Sequence, residues 1–197
     1  MKNAIIISKK IVLLTAFCAT LLSNAKTSYT TLEKKDIIKT ALTINNVKAG
    51  NLLSIKDENG ITLYKEFIEE SGIYRKGFDL TALPNGNYFF EVDKDVEIKT
   101  IPFTVNSNEV FFNKEEEVTV FKPFVRKQND VVYITKLAPN LSTLKIEIYA
   151  NHNGEFELLH TDSIENSIVI EKAYKLEKGS YKILLSSDEK EYTEFIN

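Results

Sequence analysis

The pattern Leu-x-x-Gly-x-Tyr-x-apolar-x-apolar occurs twice. It reads Leu83, Gly86, Tyr88, Phe90, Val92 and then, 93 residues on, Leu176, Gly179, Tyr181, Ile183, Leu185. A motif repeated at long spacing marks a duplicated structural unit. After each tyrosine the apolar residues alternate, the period of a strand with one buried face. The chain must therefore close two similar cores from strands.

The flanking sequence agrees. Runs rich in Val, Ile, Thr, Tyr and Phe alternate with clusters of Gly, Asn, Asp and Lys, and no segment sustains a helical apolar spacing. Six strands are predicted in the first unit, near 36–45, 51–57, 61–68, 73–80, 86–93 and 96–105. Asp57-Glu58-Asn59-Gly60 and Pro84-Asn85-Gly86-Asn87 supply turns between them, and Asp93-Lys94-Asp95 a third. In the second unit, residues 130–137 are expected to fall on 37–44, and Ile146 and Ile148 on Leu53 and Ile55. Asn151-His152-Asn153-Gly154 takes the place of the Asp-Glu-Asn-Gly turn, and 191–195 falls on 97–101 at an offset of 94. Phe111-Phe112 and residues 118–121 read as the last strand of one unit and the first of the next. Pro102 and Pro123 each interrupt a strand-like run, which predicts an edge strand or a bend between sheets. Short antiparallel strands with turns every 8–12 residues argue a β-sandwich in each unit. The tyrosine two residues past a glycine then fits a corner tyrosine whose hydroxyl pins the chain a few residues upstream.

The first 25 residues read as an export signal. Their only charges are Lys2, Lys9 and Lys10. An apolar stretch from Ile11 to Leu22 follows, then Ser23-Asn24-Ala25, which predicts cleavage between Ala25 and Lys26. The stretch is too short to span a bilayer, for which about 20 residues are needed. Acylation of Cys18 is disfavoured by bulky Phe17 before it. Of 197 residues these 25 carry three lysines and no acid. The remaining 172 thus hold 22 basic against 28 acidic side chains, a net charge of −6. Cys18 is the one cysteine, so cleavage leaves a chain with no disulfide and no thiolate ligand. Lys and Arg form no block, which argues against nucleic acid as a partner. No later run is long enough to cross a membrane.

Few residues invite chemistry. His152 and His160 fall at a hairpin tip and along its outgoing strand, too far apart to share a metal. Asp57-Glu58-Asn59 and Asp93-x-Asp95 offer turn oxygens, short of the six to eight that calcium takes. Ser142-x-x-Lys145 matches a penicillin-recognising signature but enters a strand and lacks the partner motifs. No phosphate loop, nucleophile elbow or zinc motif is present. No catalytic, cofactor or metal residue is therefore assigned. In the pairs Phe89-Phe90 and Phe111-Phe112 one ring should face out, and Phe89 and Phe111 are the candidates for a contact surface.

From Leu53 to Gly60 and from Asp79 to Val92 the sequence resembles the small Ig-like domains of exported Bacteroidetes proteins, including the C-terminal sorting domains of type IX secretion. The resemblance implies export and contact rather than catalysis. Sorting domains close on basic residues, whereas this chain ends in Asp188-Glu189-Lys190-Glu191 and Tyr192-Thr193-Glu194-Phe195-Ile196-Asn197. The expectation is an all-β protein of two tandem Ig-like or fibronectin-like antiparallel sandwiches, 26–113 and 114–197, after a signal peptide at 1–25. Its function is expected to be non-enzymatic contact with a protein or cell-surface partner, in the periplasm, on the outer surface or outside the cell. A type IX cargo with a sorting-like domain and a glycan-binding module are the alternatives.

Overall fold

The computed structural model describes residues 28–34 and 37–197. The predicted signal, Cys18 and the cleavage site at Ala25 and Lys26 lie outside the described residues. The protein is all-β, with two compact units that divide between Thr119 and Val120.

In the first unit the strands are β1 (Ser28–Lys34), β2 (Ile37–Val47), β3 (Leu52–Asp57), β4 (Thr62–Phe67), β5 (Gly72–Phe78), β6 (Gly86–Asp93), β7 (Glu97–Asn106) and β8 (Glu109–Phe112). Sheet order is β1-β2-β5 opposed by β4-β3-β6-β7-β8, with β9 (Val118–Phe121) also paired to β7. The second unit holds β10 (Phe124–Gln128), β11 (Val131–Leu137), β12 (Leu144–His152), β13 (Glu155–Ile164), β14 (Val169–Lys175), β15 (Tyr181–Ser187) and β16 (Lys190–Ile196). Its sheets run β10-β11-β14 and β13-β12-β15-β16. Position for position the two orders agree: first-second-fifth strand, then fourth-third-sixth-seventh. That shared order is an Ig-like, fibronectin-type sandwich built twice.

The cores form from the inward residues of both sheets. In the first, Leu42, Ile44 and Phe78 meet Leu53, Phe90, Ile101 and Phe103. Its rings form a chain, Phe78 to Phe90 at 5.3 Å and Phe90 to Phe103 at 5.3 Å. The second core is mainly aliphatic, with Val132, Ile134, Ile146, Ile148, Ile183 and Leu185 all but inaccessible. Removing a ring such as Phe90 costs about 3–5 kcal/mol, because the neighbouring rings cannot close the gap.

The register sharpens the repeat. Tyr88 pairs with Phe103 and Tyr181 with Ile196, while Leu53 pairs with Val92 and Ile146 with Leu185. The offset is therefore 93 in all three of these strands, and the offset of 94 expected for β16 is wrong by one residue. One residue reverses a strand's faces. Glu194 thus takes the inward place of Ile101, and Phe195 the outward place of Pro102. Fitting the apolar residues of β16 to those of β7 misled the sequence comparison, because β16 carries an acid towards the core. The other sheet breaks the spacing. Thr40, Leu42 and Ile44 are buried in β2, and Val132, Ile134 and Lys136 in β11. All six numbers are even, so an odd offset cannot superpose them, and 130–137 does not fall on 37–44.

Two further expectations change. Residues 118–121 do not open the second unit: β8 and β9 both pair with β7, and β10 is the first strand beyond Pro123. β7 is also no edge strand. Pro102 sits where the β8 ladder, which pairs residues Phe103 to Asn106, has ended. Its missing N–H is not required there, and its carbonyl accepts the Asn113 N–H at 3.2 Å. β1 was not anticipated, since its residues carry only Tyr29 and Leu32 as large apolar groups.

Candidate functional site

The repeated tyrosines hold corners. The Tyr88 hydroxyl donates to the Pro84 carbonyl at 2.9 Å, and the Tyr181 hydroxyl to the Glu177 carbonyl at 3.0 Å. Both rings are buried, and each folds back against the glycine two residues before it. Burial raises the Tyr181 hydroxyl pKa, with Glu177 nearby adding to it. These groups are fasteners and not ligand contacts.

A second fastener is duplicated at the loops that follow β2 and β11. In the first unit Asp95 accepts Lys48 Nζ at 2.6 Å and Asn51 Nδ2 at 3.1 Å. In the second, Asp188, 93 residues later, accepts Lys136 Nζ at 2.8 Å and Asn140 Nδ2 at 3.0 Å. The first pair is exposed, with side-chain accessibilities of 70% and 51%. The second is buried, at 1% and 9%. Between Asn140 and Ser142, Leu141 adopts a left-handed φ of 59°, a costly conformation for a bulky residue. Hydrogen bonds from both neighbours to Asp188 hold it.

This is where the sequence's Ser-x-x-Lys resolves. Ser142 Oγ lies 3.2 Å from Lys136 Nζ, while Lys145 pairs with Glu147 at 3.0 Å. Ser142 also donates to Asp188 at 3.1 Å. Burial pushes the Asp188 carboxyl up, but Lys136, Asn140 and Ser187 outweigh it and hold the group below its ordinary range. Lys136 Nζ donates to both that carboxylate and Ser142 Oγ, an arrangement of a structural pair and not of a base taking the Ser142 proton.

A third duplicated cluster links β4 to β5 and β13 to β14. Glu66 accepts from Tyr64, Tyr74 and Lys76. Asp162 accepts Lys172 Nζ at 2.8 Å and the Tyr174 hydroxyl at 2.9 Å. Tyrosine and lysine are separated by one residue in each strand, in opposite order. Burial opposes ionisation of both acids, yet the donors around them leave both below their ordinary range. Tyr74 and Tyr174 are pushed well above a normal phenol by burial and by the acid each one donates to, so they remain donors. His160 packs beside Tyr174 at 5.4 Å, and His152 ends β12 at the hairpin tip. Asp57 Oδ1 accepts the Asn59 and Ile61 N–H groups of its own turn. Among the described residues no three His, Cys, Asp or Glu side chains converge as a metal site. No described helix is long and apolar enough to cross a membrane.

What remains is a surface. On the sheet β13-β12-β15-β16, Phe156 and Phe195 reach across from opposite edge strands and meet at 5.9 Å. Beneath them Lys182 lies over the rings of Tyr149, at 4.3 Å, and Phe156, at 5.3 Å. Phe195 is 64% exposed, Leu158 beside them 56% and Phe156 37%. Aromatic rings held over a cation and left in solvent form an unusual cost for a sheet face. In the first unit Phe90 and Phe112 face the core as expected, 6.5 Å apart, and Phe111 is exposed. Phe89 is half-buried, with Pro102 opposite it. The sequence reading missed Phe156, Phe195 and Lys182. A register one residue in error had turned Phe195 inward.

No family model and no curated protein matches the chain. Among solved structures, the chicken interferon gamma receptor alpha chain is similar at 6% identity, with 87% of this chain and 98% of that chain covered and a TM-score of 0.30. The FN1–FN3 domains of chicken CNTN1 are similar at 11% identity, over 79% of this chain and 59% of that chain, with a TM-score of 0.26. The BSP domain of a biofilm associated protein is similar at 14% identity, over 87% of this chain and 28% of that chain, with a TM-score of 0.24. At these scores the strand order and the two corners carry the assignment of fold.

Proposed function

We propose that the chain is a non-enzymatic, exported contact protein. It binds a protein or cell-surface partner through the outer face of the sheet β13-β12-β15-β16. The observation that carries this reading is the pair Phe156 and Phe195, exposed and in contact above Lys182. A contiguous exposed aromatic patch marks an interaction site, and aromatic anchors dominate binding energy where they occur. The signal at 1–25 delivers the protein, with Lys26 the first residue after cleavage, and the two modules divide between Thr119 and Val120. The duplicated tyrosines and acids are all engaged as donors or acceptors, which supports contact over catalysis.

Retention of the purified protein on the envelope fraction of the native cells tests this. Phe156→Ser with Phe195→Ser should keep the unfolding midpoint and release the protein from the envelope. Equal retention of the double variant would overturn the reading. Fractionation should find the protein outside the cytoplasm, and its N-terminal sequence should begin at Lys26. A glycan partner is the second reading, favoured by the exposed rings of Phe156 and Phe195. Binding of the wild type, but not of the double variant, to a glycan array would select it.

A further inference from the structure

The two units differ at one edge. In the first, the side of β7 away from β6 carries β8 and β9. Val110 and Phe112 of β8 reach from that added strand onto the core. In the second unit β16 is the counterpart of β7, and it ends its sheet: no further strand is hydrogen-bonded beyond it among the described residues. Thr193, Glu194 and Phe195 are exposed. The opposite end of the same sheet, β13, is bulged where Ile148 gives way to Tyr149 in its pairing, a device that discourages a further strand.

We propose that the far edge of β16 is a docking site for an extended, basic segment of a partner protein. The segment adds as a strand in the way β8 and β9 add to β7. The backbone phase supports this. The Pro102 carbonyl takes the Asn113 N–H from the far side of β7, so residues of that parity turn their polar backbone groups outward. At the same offset of 93 these are Glu191, Thr193 and Phe195 in β16. Where Pro102 has no N–H to give, Phe195 has one, so the second edge can both donate and accept. The side chains define the partner. Glu191 and Glu194 are exposed on successive turns of the pleat, one to each face. Lysines or arginines on the outward face of the incoming strand would answer Glu191. Ile196 is half-buried against the core, and an apolar residue at the matching position would cover it as Phe112 covers Phe103. An alternating apolar and basic sequence therefore fits, and an acidic one is repelled. This site uses the backbone edge of β16, whereas the aromatic face uses the rings of Phe156 and Phe195, so loss of envelope retention in the double Ser variant and loss of peptide binding in Thr193→Pro are read independently.

The test uses the full chain and two capped peptides long enough to span β16, one alternating valine with lysine, the other valine with glutamate. Calorimetry at low salt should show saturable binding of the lysine peptide, about tenfold or more tighter than the glutamate peptide. Thr193→Pro removes an outward N–H while leaving the ladder to β15 in place, and should abolish that binding with an unchanged circular dichroism spectrum. Glu191→Lys should reverse the preference between the peptides, and it serves equally if the proline variant does not fold. Binding of neither peptide to the wild type, equal binding of both, or an unreversed preference in Glu191→Lys would overturn the proposal. Self-association through β16 that excludes the lysine peptide would do the same, naming a second copy as the occupant.

Discussion

Glu194 faces Ile183 across the β15–β16 ladder, where the first unit sets Ile101 against Phe90. Ile101 is completely buried; Glu194 is exposed on the same side of its strand. Among the described residues the second sandwich therefore has no strand in the place where β8 seals the first core. Replacing Glu194 with Ile should extend the apolar surface and raise the urea midpoint, by up to about 1 kcal/mol for a side chain only partly covered. A lower midpoint would show that this position does not face the core.

The two loop fasteners make a paired comparison. Asp188→Ala leaves the Lys136 ammonium buried without its partner, and should cost about 3–5 kcal/mol. Asp95→Ala breaks an exposed pair of the same layout and should cost about 1 kcal/mol or less. Urea unfolding of both variants measures the difference, and equal losses would refute the role assigned to burial.

Acid should unfold the chain through the same groups. Glu66, Asp162 and Asp188 all have depressed carboxyl pKa values in the folded state. Such groups contribute stability that is fully present above the unfolded carboxyl range near pH 4. The contribution is lost as pH falls through the folded values. The melting temperature should therefore fall between about pH 4 and pH 2. The gap between wild type and Asp188→Asn should narrow over the same interval.

The glycines of the repeated motif are more replaceable than their recurrence suggests. A Cβ at Gly86 or at Gly179 would meet the ring of Tyr88 or Tyr181 at 3.5 Å, an ordinary contact, and neither glycine has a left-handed φ. Gly86→Ala and Gly179→Ala should leave thermal stability unchanged or raise it by about 0.4–1 kcal/mol, since alanine narrows the unfolded ensemble. Tyr88→Phe should instead lower it by about 1 kcal/mol, the net worth of one hydrogen bond. A destabilised alanine variant beside a neutral phenylalanine variant would invert this account of the corner.

Much of the fold was legible because its signals are local. Alternation after Tyr88 and Tyr181, the Asn-Gly turns and the proline near residue 123 each report on a few neighbouring residues. The six strands predicted in the first unit lie within about two residues of those found. The surface was not legible, because it depends on register between strands. Phe156 and Phe195 come from β13 and β16, 39 residues apart in the chain, and meet only once two ladders are set. The clusters around Glu66 and Asp162 were hidden for the same reason. Each acid finds a tyrosine and a lysine in the opposite sheet, which the spacing of its own strand does not announce; Tyr64, two residues before Glu66 on β4, is the one partner that shares its acid's strand.

Pro102 has one more consequence. By withholding a donor from the far side of β7, and by leaving that side to β8 and β9, the first unit denies β7 to an incoming chain. Of the counterpart strands β7 and β16, β16 alone keeps an outer side free of a further strand among the described residues. Along β7 and β16 the duplication is therefore monovalent: a strand that adds at β16 finds no equivalent place at β7.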